Sequence, residues 1–157
     1  MQTRKLAQIL TSRNLTLATA ESCTGGMIAN TLTNIPGSSA FLAGGIIAYA
    51  NRIKTTFLCV PPELIESQGA VSSAVAQAMA AGARKRFKVN YALATTGIAG
   101  PTGGTSLKPV GLVFIALATS RKTIVKKCFF TGNRLAIKKQ ASQTALALLA
   151  QTINPGF

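Results

Sequence analysis

The chain has 157 residues, 48% hydrophobic and 13% charged, which is the length of one ordinary domain with enough apolar side chains for a core. Seventeen Lys and Arg face three carboxylates, Glu21, Glu63 and Glu66, with no Asp and no His, for a net charge of +14. These counts exclude a Ser-His-Asp or Cys-His catalytic pair and a metal site built on His or Asp, while the positive field attracts phosphorylated small molecules, nucleic acid or an acidic membrane.

Residues 3–12 read as a short helix with Leu6, Ile9 and Leu10 on one face. Asn14 marks a turn, and residues 15–19 alternate like a strand. Ser22 to Gly26 forms a turn, and residues 24–33 have helical spacing at Met27, Ile28 and Leu32, stopped by Pro36-Gly37. Residues 41–49 read as a buried strand. Asn51 opens a short helix carrying Lys54, Phe57 and Leu58, and Pro61-Pro62 opens another that ends at Gly69. Ser72 or Ser73 caps an Ala-rich helix to Phe87, whose basic end, Arg84-Lys85-Arg86, complements the helix dipole. Residues 91–96 form a strand, followed by the loop GIAGPTGGTSLKP. Two strands, 110–118 and 123–130, are joined by a hairpin-like turn at Thr119 to Lys122. An amphipathic helix over 134–152 closes the chain. Strands alternating with helices predict an α/β layer fold, and the hairpin predicts a mixed sheet in a single domain over residues 1–157.

Cys23, Cys59 and Cys128 form no CxxC pair and read as reduced thiols of an intracellular, cytoplasmic chain. Arg4 and Lys5 precede an apolar stretch broken by Thr11 to Asn14, which is not an export signal. No apolar run reaches the ~18–20 residues of a membrane helix. Neither a metal nor a cofactor is expected. The low charged fraction and the small residues of the helix at 72–83 point to a homo-oligomer.

With no His and no Asp, a hydrolase built from this chain must activate its nucleophile with Lys, Tyr, Glu21 or a helix dipole. Ser22 is the leading nucleophile. It sits in AESCTGG between a strand and a helix, where ligand sites of open α/β sheets lie. Gly25 and Gly26 let backbone approach a ligand, and free N–H groups there can hold an oxyanion. Ser22 or Thr24 would equally serve as a helix cap, and Cys23 is a rival nucleophile. Tyr49 ends a strand, Asn51 is placed to cap the next turn, and Lys54 lies one turn on. The loop with Gly97, Gly100, Gly103 and Gly104 also follows a strand, and its backbone N–H groups can cradle phosphate or carbonyl oxygens. It is not a Walker loop, because no Gly-Lys-Ser/Thr comes after it. Arg134, at the start of the last helix, can meet an anion.

The stretches TAESCTGGMIAN, NIPGSSAFLAGGIIAYANRIK, GAVSSAVAQAMAAGA, TTGIAGPTGG, KPVGLVFIALA and TGNR together resemble the CinA C-terminal domain family. The resemblance implies a three-layer α/β/α sandwich around a mixed, mostly parallel sheet. It implies hydrolysis of nicotinamide mononucleotide to nicotinic acid mononucleotide and ammonia. It also implies a serine nucleophile, at Ser22, activated by a Tyr/Lys partnership, at Tyr49 and Lys54. Thr24, Gly25, Gly26, Asn51, Gly97, Gly100, Gly103, Gly104 and Arg134 are the residues expected to touch the nucleotide. Family members often carry Asp where this chain has Thr102 and Asn133, and Ser where it has Ala50. Two other readings remain: a catalytically silent family member, and a basic nucleic-acid-binding module, which the dispersed cations and scarce aromatics do not favour.

Overall fold

The computed structural model describes residues 2–156; Met1 and Phe157, the ends of the expected domain, lie outside them. Five strands form one sheet: β1 (Leu17–Glu21), β2 (Leu42–Ile47), β3 (Tyr91–Gly97), β4 (Leu112–Ala118) and β5 (Thr123–Phe129). Their order is β2-β1-β3-β4-β5. The first two pairings are parallel and the last two antiparallel, so the sheet is mixed and β4 alone is reversed. Helices α1 (Gln2–Ser12), α2 (Met27–Thr33) and α6 (Arg134–Ile153) cover one face. Helices α3 (Asn51–Leu58), α4 (Pro62–Gln68) and α5 (Ser73–Phe87) lie towards the other.

Side-chain alternation along the strands sorts the core into two layers. Leu17, Leu93, Ile115 and Leu117 pack against Leu6, Leu10, Ile28, Ile137 and Leu149. On the opposite face Ala18, Ala20, Ala92, Ala94 and Ala116 meet Val75, Met79, Ala80 and Ala83 of α5. Alanine on both sides brings α5 close to the sheet. It also comes close to α3, since a Cβ on Gly82 would stand 1.8 Å from the Leu58 carbonyl oxygen. The small face of α5 is therefore spent inside the fold, and it carries no argument for self-association.

All five strands differ from their sequence expectation at an end, β3 only by running one residue further, to Gly97. Strand β1 begins at Leu17 rather than residue 15, and all five of its residues are buried. It is an interior strand with helices on both faces, so it lacks the exposed alternate positions a half-buried strand would show. Strand β2 is shorter than 41–49 and is half exposed, in strict alternation, because it is the sheet's edge. Strand β4 starts at Leu112, after Gly111 at φ +93°, and β5 stops at Phe129. Helix α2 starts at Met27 because Gly25 and Gly26 stand at φ +61° and +92°, outside the helical region. The Ser72 side chain caps α5, accepting from the Val75 N–H at 3.3 Å.

Candidate active site

The parallel strands β1, β2 and β3 end at the same side of the sheet, and the segments leaving them converge there. A cavity of about 280 Å³ opens at this edge. Its walls are Ser22 and Cys23 after β1, Tyr49, Asn51 and Lys54 after β2, and residues 96–100 with Thr102 and Gly103 after β3. Arg134 and the Ala70-Val71 link between α4 and α5 complete them. A larger groove, about 820 Å³, runs along α1, α2 and α6 and includes neither Ser22 nor Lys54.

Lys54 is fully buried, 1% exposed, at the floor of this cavity. Its Nζ lies 3.2 Å from Ser22 Oγ, 2.8 Å from the Ala48 carbonyl oxygen and 3.2 Å from that of Tyr49. Burial pushes the amine below the ordinary lysine value of 10.5, because a charged group is costly away from water. Once neutral, the amine keeps two N–H bonds and one lone pair. The two carbonyls can only accept, so they take the N–H bonds and leave the lone pair facing Ser22 Oγ. Ser22 is 9% exposed and reaches the cavity, so its hydroxyl is both accessible and within hydrogen-bond range of a base.

Tyr49 and Lys54 are brought together, but through the Tyr49 backbone. The phenol is 60% exposed and accepts from Arg134 Nη2 at 2.8 Å, so no phenol relay links Lys54 to Ser22. Arg134 also donates through Nη1 to the Gly100 carbonyl at 2.7 Å. It thereby ties the β2 wall of the cavity to the β3–β4 loop. The Asn133 side chain caps α6 beneath it, accepting from the Ala136 N–H at 2.9 Å, a role Asn fills as well as Asp.

Two donors of the cradle expected after Ser22, the Gly25 and Gly26 N–H groups, are already occupied, while those of Cys23 and Thr24 make no bond to another described residue. Glu21, 1% exposed, turns its carboxylate onto the start of α2. Oε2 accepts from Gly26 N–H at 3.0 Å, Ile28 N–H at 3.1 Å and Thr24 Oγ1 at 2.7 Å. Oε1 accepts from Ala29 N–H at 2.9 Å. The Gly25 N–H goes back to the Ser22 carbonyl at 3.1 Å. Glu21 is therefore a helix cap rather than an activator. Gly25 and Gly26 provide no free donor, and Thr24, wholly buried and hydrogen-bonded to Glu21 and Thr95, faces no ligand. Asn51 lines the cavity but caps nothing; Ala50 holds the cap position of α3 without a side-chain bond. Cys23 lines the cavity too, yet burial pushes its thiol up to about 11, which removes it as a thiolate nucleophile.

The loop after β3 lines the same cavity. Ala99, Gly100, Thr102 and Gly103 line the cavity, and their N–H groups have no partner among the described residues. Gly97 and Gly100 line it as well, and each is needed for a close approach. An added Cβ would stand 2.6 Å from the Leu112 carbonyl oxygen at Gly97 and 2.4 Å from Val110 Cγ1 at Gly100. Gly104 lies outside the lining; its missing side chain admits the Val110 backbone N, 2.8 Å from where a Cβ would be. The sequence reading missed Ala70 and Val71, which come after a helix rather than a strand. Thr96 Oγ1 holds them at the site by donating to the Ala70 carbonyl at 2.8 Å. Among the described residues no cluster of His, Cys, Asp or Glu could hold a metal ion, and no helix is long and apolar enough to cross a membrane.

The sequence model of the CinA C-terminal domain matches residues 2–153. A CinA-like protein of Syntrophus aciditrophicus is 49% identical over 152 residues, covering 96% of this chain and 36% of that protein. A CinA-like protein of Acidobacterium capsulatum is 50% identical over 144 residues, covering 92% of this chain and 35% of its own length. The chain thus spans about a third of the curated relatives it matches. The crystal structure of the competence/damage inducible protein CihA from Agrobacterium tumefaciens superposes with a TM-score of 0.94 at 40% identity, covering 98% of this chain and 93% of that one. A CinA superfamily protein from Escherichia coli superposes at 0.92 with 34% identity, covering 96% and 88%.

Proposed function

The chain belongs to the CinA C-terminal domain family, and from that premise we propose that it hydrolyses the carboxamide of nicotinamide mononucleotide, with Lys54 as the direct base for Ser22. The observation that carries this reading is the buried Lys54 amine, held by two carbonyls with its third direction on Ser22 Oγ. A lysine in that position has a lowered pKa and one possible proton donor, which is what a general base for a hydroxyl requires.

The neutral Lys54 amine takes the Ser22 proton as Oγ attacks the carboxamide carbon. The carbonyl oxygen becomes an oxyanion, stabilised by unpaired N–H groups of the 97–104 loop. The tetrahedral adduct collapses by breaking the C–N bond, and the Lys54 ammonium returns its proton to the leaving nitrogen, giving ammonia and a Ser22 ester. Water then loses a proton to Lys54 as it attacks the ester. Nicotinic acid mononucleotide leaves and Ser22 regains its proton. The substrate phosphate fits Arg134, whose guanidinium uses two of its five donors on Gly100 and Tyr49 and keeps the others for an anion.

Ammonia release from nicotinamide mononucleotide by the wild type and by Ser22→Ala tests this. Turnover by the wild type, lost in the variant, is the expected result. No turnover by the wild type identifies a catalytically silent member, and equal turnover removes Ser22 from the chemistry.

A further inference from the structure

The opposite end of the sheet has its own composition. Strand register sets Leu17 beside Tyr91, Ala92 beside Ala118, and Ala118 beside Thr123 along that edge. The turns over 13–16, 88–90 and 119–122 therefore stand in a row. Asn90 joins the first two: its Oδ1 accepts from the Thr16 N–H at 2.7 Å and from Thr16 Oγ1 at 3.0 Å. The last turn of α5 reaches the same place, where Arg84 Nε donates to the Asn90 carbonyl at 3.1 Å.

These segments carry Arg13, Arg84, Lys85, Lys88, Arg121 and Lys122, all exposed except the half-buried Arg84. They carry no carboxylate. Glu21 is buried at the far end of β1, and Glu63 and Glu66 lie on α4. The side chains of Lys85, Lys88, Arg121 and Lys122 make no hydrogen bond or ion pair among the described residues. Strands stand about 4.8 Å apart, so the four-strand row from β1 to β5 is about 15 Å wide. A duplex presents a phosphate every ~3.4 Å along each strand, so the row spans about four to five base pairs.

We propose that this edge binds the phosphate backbone of a nucleic-acid duplex without reading its sequence. Unpaired cations gathered on one edge, with no local counter-charge, release counterions from a polyphosphate when they meet it. A membrane surface fits less well, because anchoring needs apolar side chains among the cations. The exposed large apolar residues (Ile47, Tyr49, Phe57, Leu107, Val110, Phe129 and Leu135) are all outside these turns. An exposed aromatic platform for unpaired bases is missing from the row as well, which favours a duplex over a single strand.

Fluorescence anisotropy of the whole chain with a labelled DNA duplex of about 20 base pairs, titrated from about 50 to about 200 mM salt, tests the proposal. Four to six neutralised phosphates give a log–log slope of about −3.6 to −5.4 for the wild type. The row variant Lys85→Gln/Lys88→Asn/Arg121→Gln/Lys122→Gln removes four charges. The control Arg4→Gln/Lys126→Gln/Lys127→Gln/Lys139→Gln removes four elsewhere. The row variant is expected to bind at least about tenfold more weakly than the control and to lose most of the salt slope. Circular dichroism and ammonia release confirm that each variant is folded. Equal weakening in the two variants would show a diffuse effect of net charge and overturn the proposal. So would the absence of duplex binding by the wild type at the lowest salt, or stronger binding to anionic vesicles than to the duplex.

Discussion

The turn after β1 and the loop after β3 look alike in the sequence. Each follows a parallel strand, each carries paired glycines, and each lies where α/β folds place their ligands. Their backbone N–H groups have opposite fates. In the first turn those of Gly25, Gly26, Ile28 and Ala29 are spent on the Ser22 carbonyl and on the buried Glu21 carboxylate, and only Cys23 and Thr24 keep an N–H with no bond to another described residue. In the second those of Ala99, Gly100, Thr102 and Gly103 have no acceptor among the described residues, and these residues line the cavity. Glycine richness opens a backbone, but a neighbouring carboxylate decides whether the opening serves the fold or a ligand. On the proposed mechanism the first turn would hold the nucleophile and the second the substrate, so substitutions in the two should separate into effects on kcat and effects on KM.

The largest effect expected is on kcat. Ser22→Ala should lower it at least about a thousand-fold, roughly 4 kcal/mol of transition-state stabilisation. Lys54→Met should do nearly the same, and the double variant should be hardly worse than either, because the pair acts as a unit. A double variant with losses that multiply would separate the two residues. The pH profile tests the same pair. On the proposed mechanism activity requires neutral Lys54, so kcat/KM should rise with pH through the lowered lysine pKa, reaching its plateau below 10.5. Between that lowered value and 10.5 the unfolded chain binds more protons than the folded one, so stability also climbs with pH there. Lys54→Met should flatten this rise in a thermal-unfolding series; an unchanged slope would mean that another group titrates.

Glu21→Gln comes next, and it reports on the fold. The amide that replaces one oxygen cannot accept from both ends of its present set, leaving a buried N–H unpaired at a cost of about 1–3 kcal/mol. Chemical denaturation should show that loss, with KM little changed. A normal stability with raised KM would make Glu21 a substrate contact instead. Arg134→Gln should act on the other side of the comparison. It removes a charge-assisted contact, so KM should rise about tenfold or more with kcat nearly intact. A product lacking the phosphate should bind the wild type and the variant equally well; discrimination by the variant would place the phosphate elsewhere.

Legibility in the sequence divides along the same line. The strands and helices were legible because hydrophobic period and turn residues are local, and a cap at Ser72 or Ser73 was legible too, with the fold selecting Ser72. Lys54 was legible only as a residue one turn beyond a strand end; that it is buried, with two carbonyls to orient it, depends on the packing of α5 against α3 and on the segment after β2 that supplies the carbonyls. The fate of the Gly25-Gly26 N–H groups could be suspected from Glu21 preceding the turn, but a carboxylate folding back over seven and eight residues is a tertiary event. Ala70 and Val71 lie in a stretch that carries the family resemblance, but nothing in their residue types marked them as lining a site. Their place at the cavity is set by one hydrogen bond from Thr96, 26 residues on. Strand β2 read as buried because its residues are apolar, and only sheet order reveals that it is an edge.

The smallest effect expected sharpens the comparison most finely, because it concerns a residue in the nucleophile's own turn. Cys23 adjoins Ser22, lines the same cavity and is intrinsically the stronger nucleophile as a thiolate. Burial keeps it protonated, with a pKa of about 11, and only a small fraction of the thiol ionises near neutral pH. It otherwise belongs to the apolar cluster of the α2–α6 layer and meets the Thr95 hydroxyl. Cys23→Ala should therefore leave kcat within about threefold and cost about 1 kcal/mol of stability from the lost sulfur packing. Alkylation at neutral pH should mark the exposed Cys59 well before Cys23. A loss of turnover as deep as that of Ser22→Ala, together with rapid alkylation of Cys23 protected by substrate, would move the nucleophile one residue along the chain. It would leave Lys54 holding a hydroxyl that takes no part in the reaction.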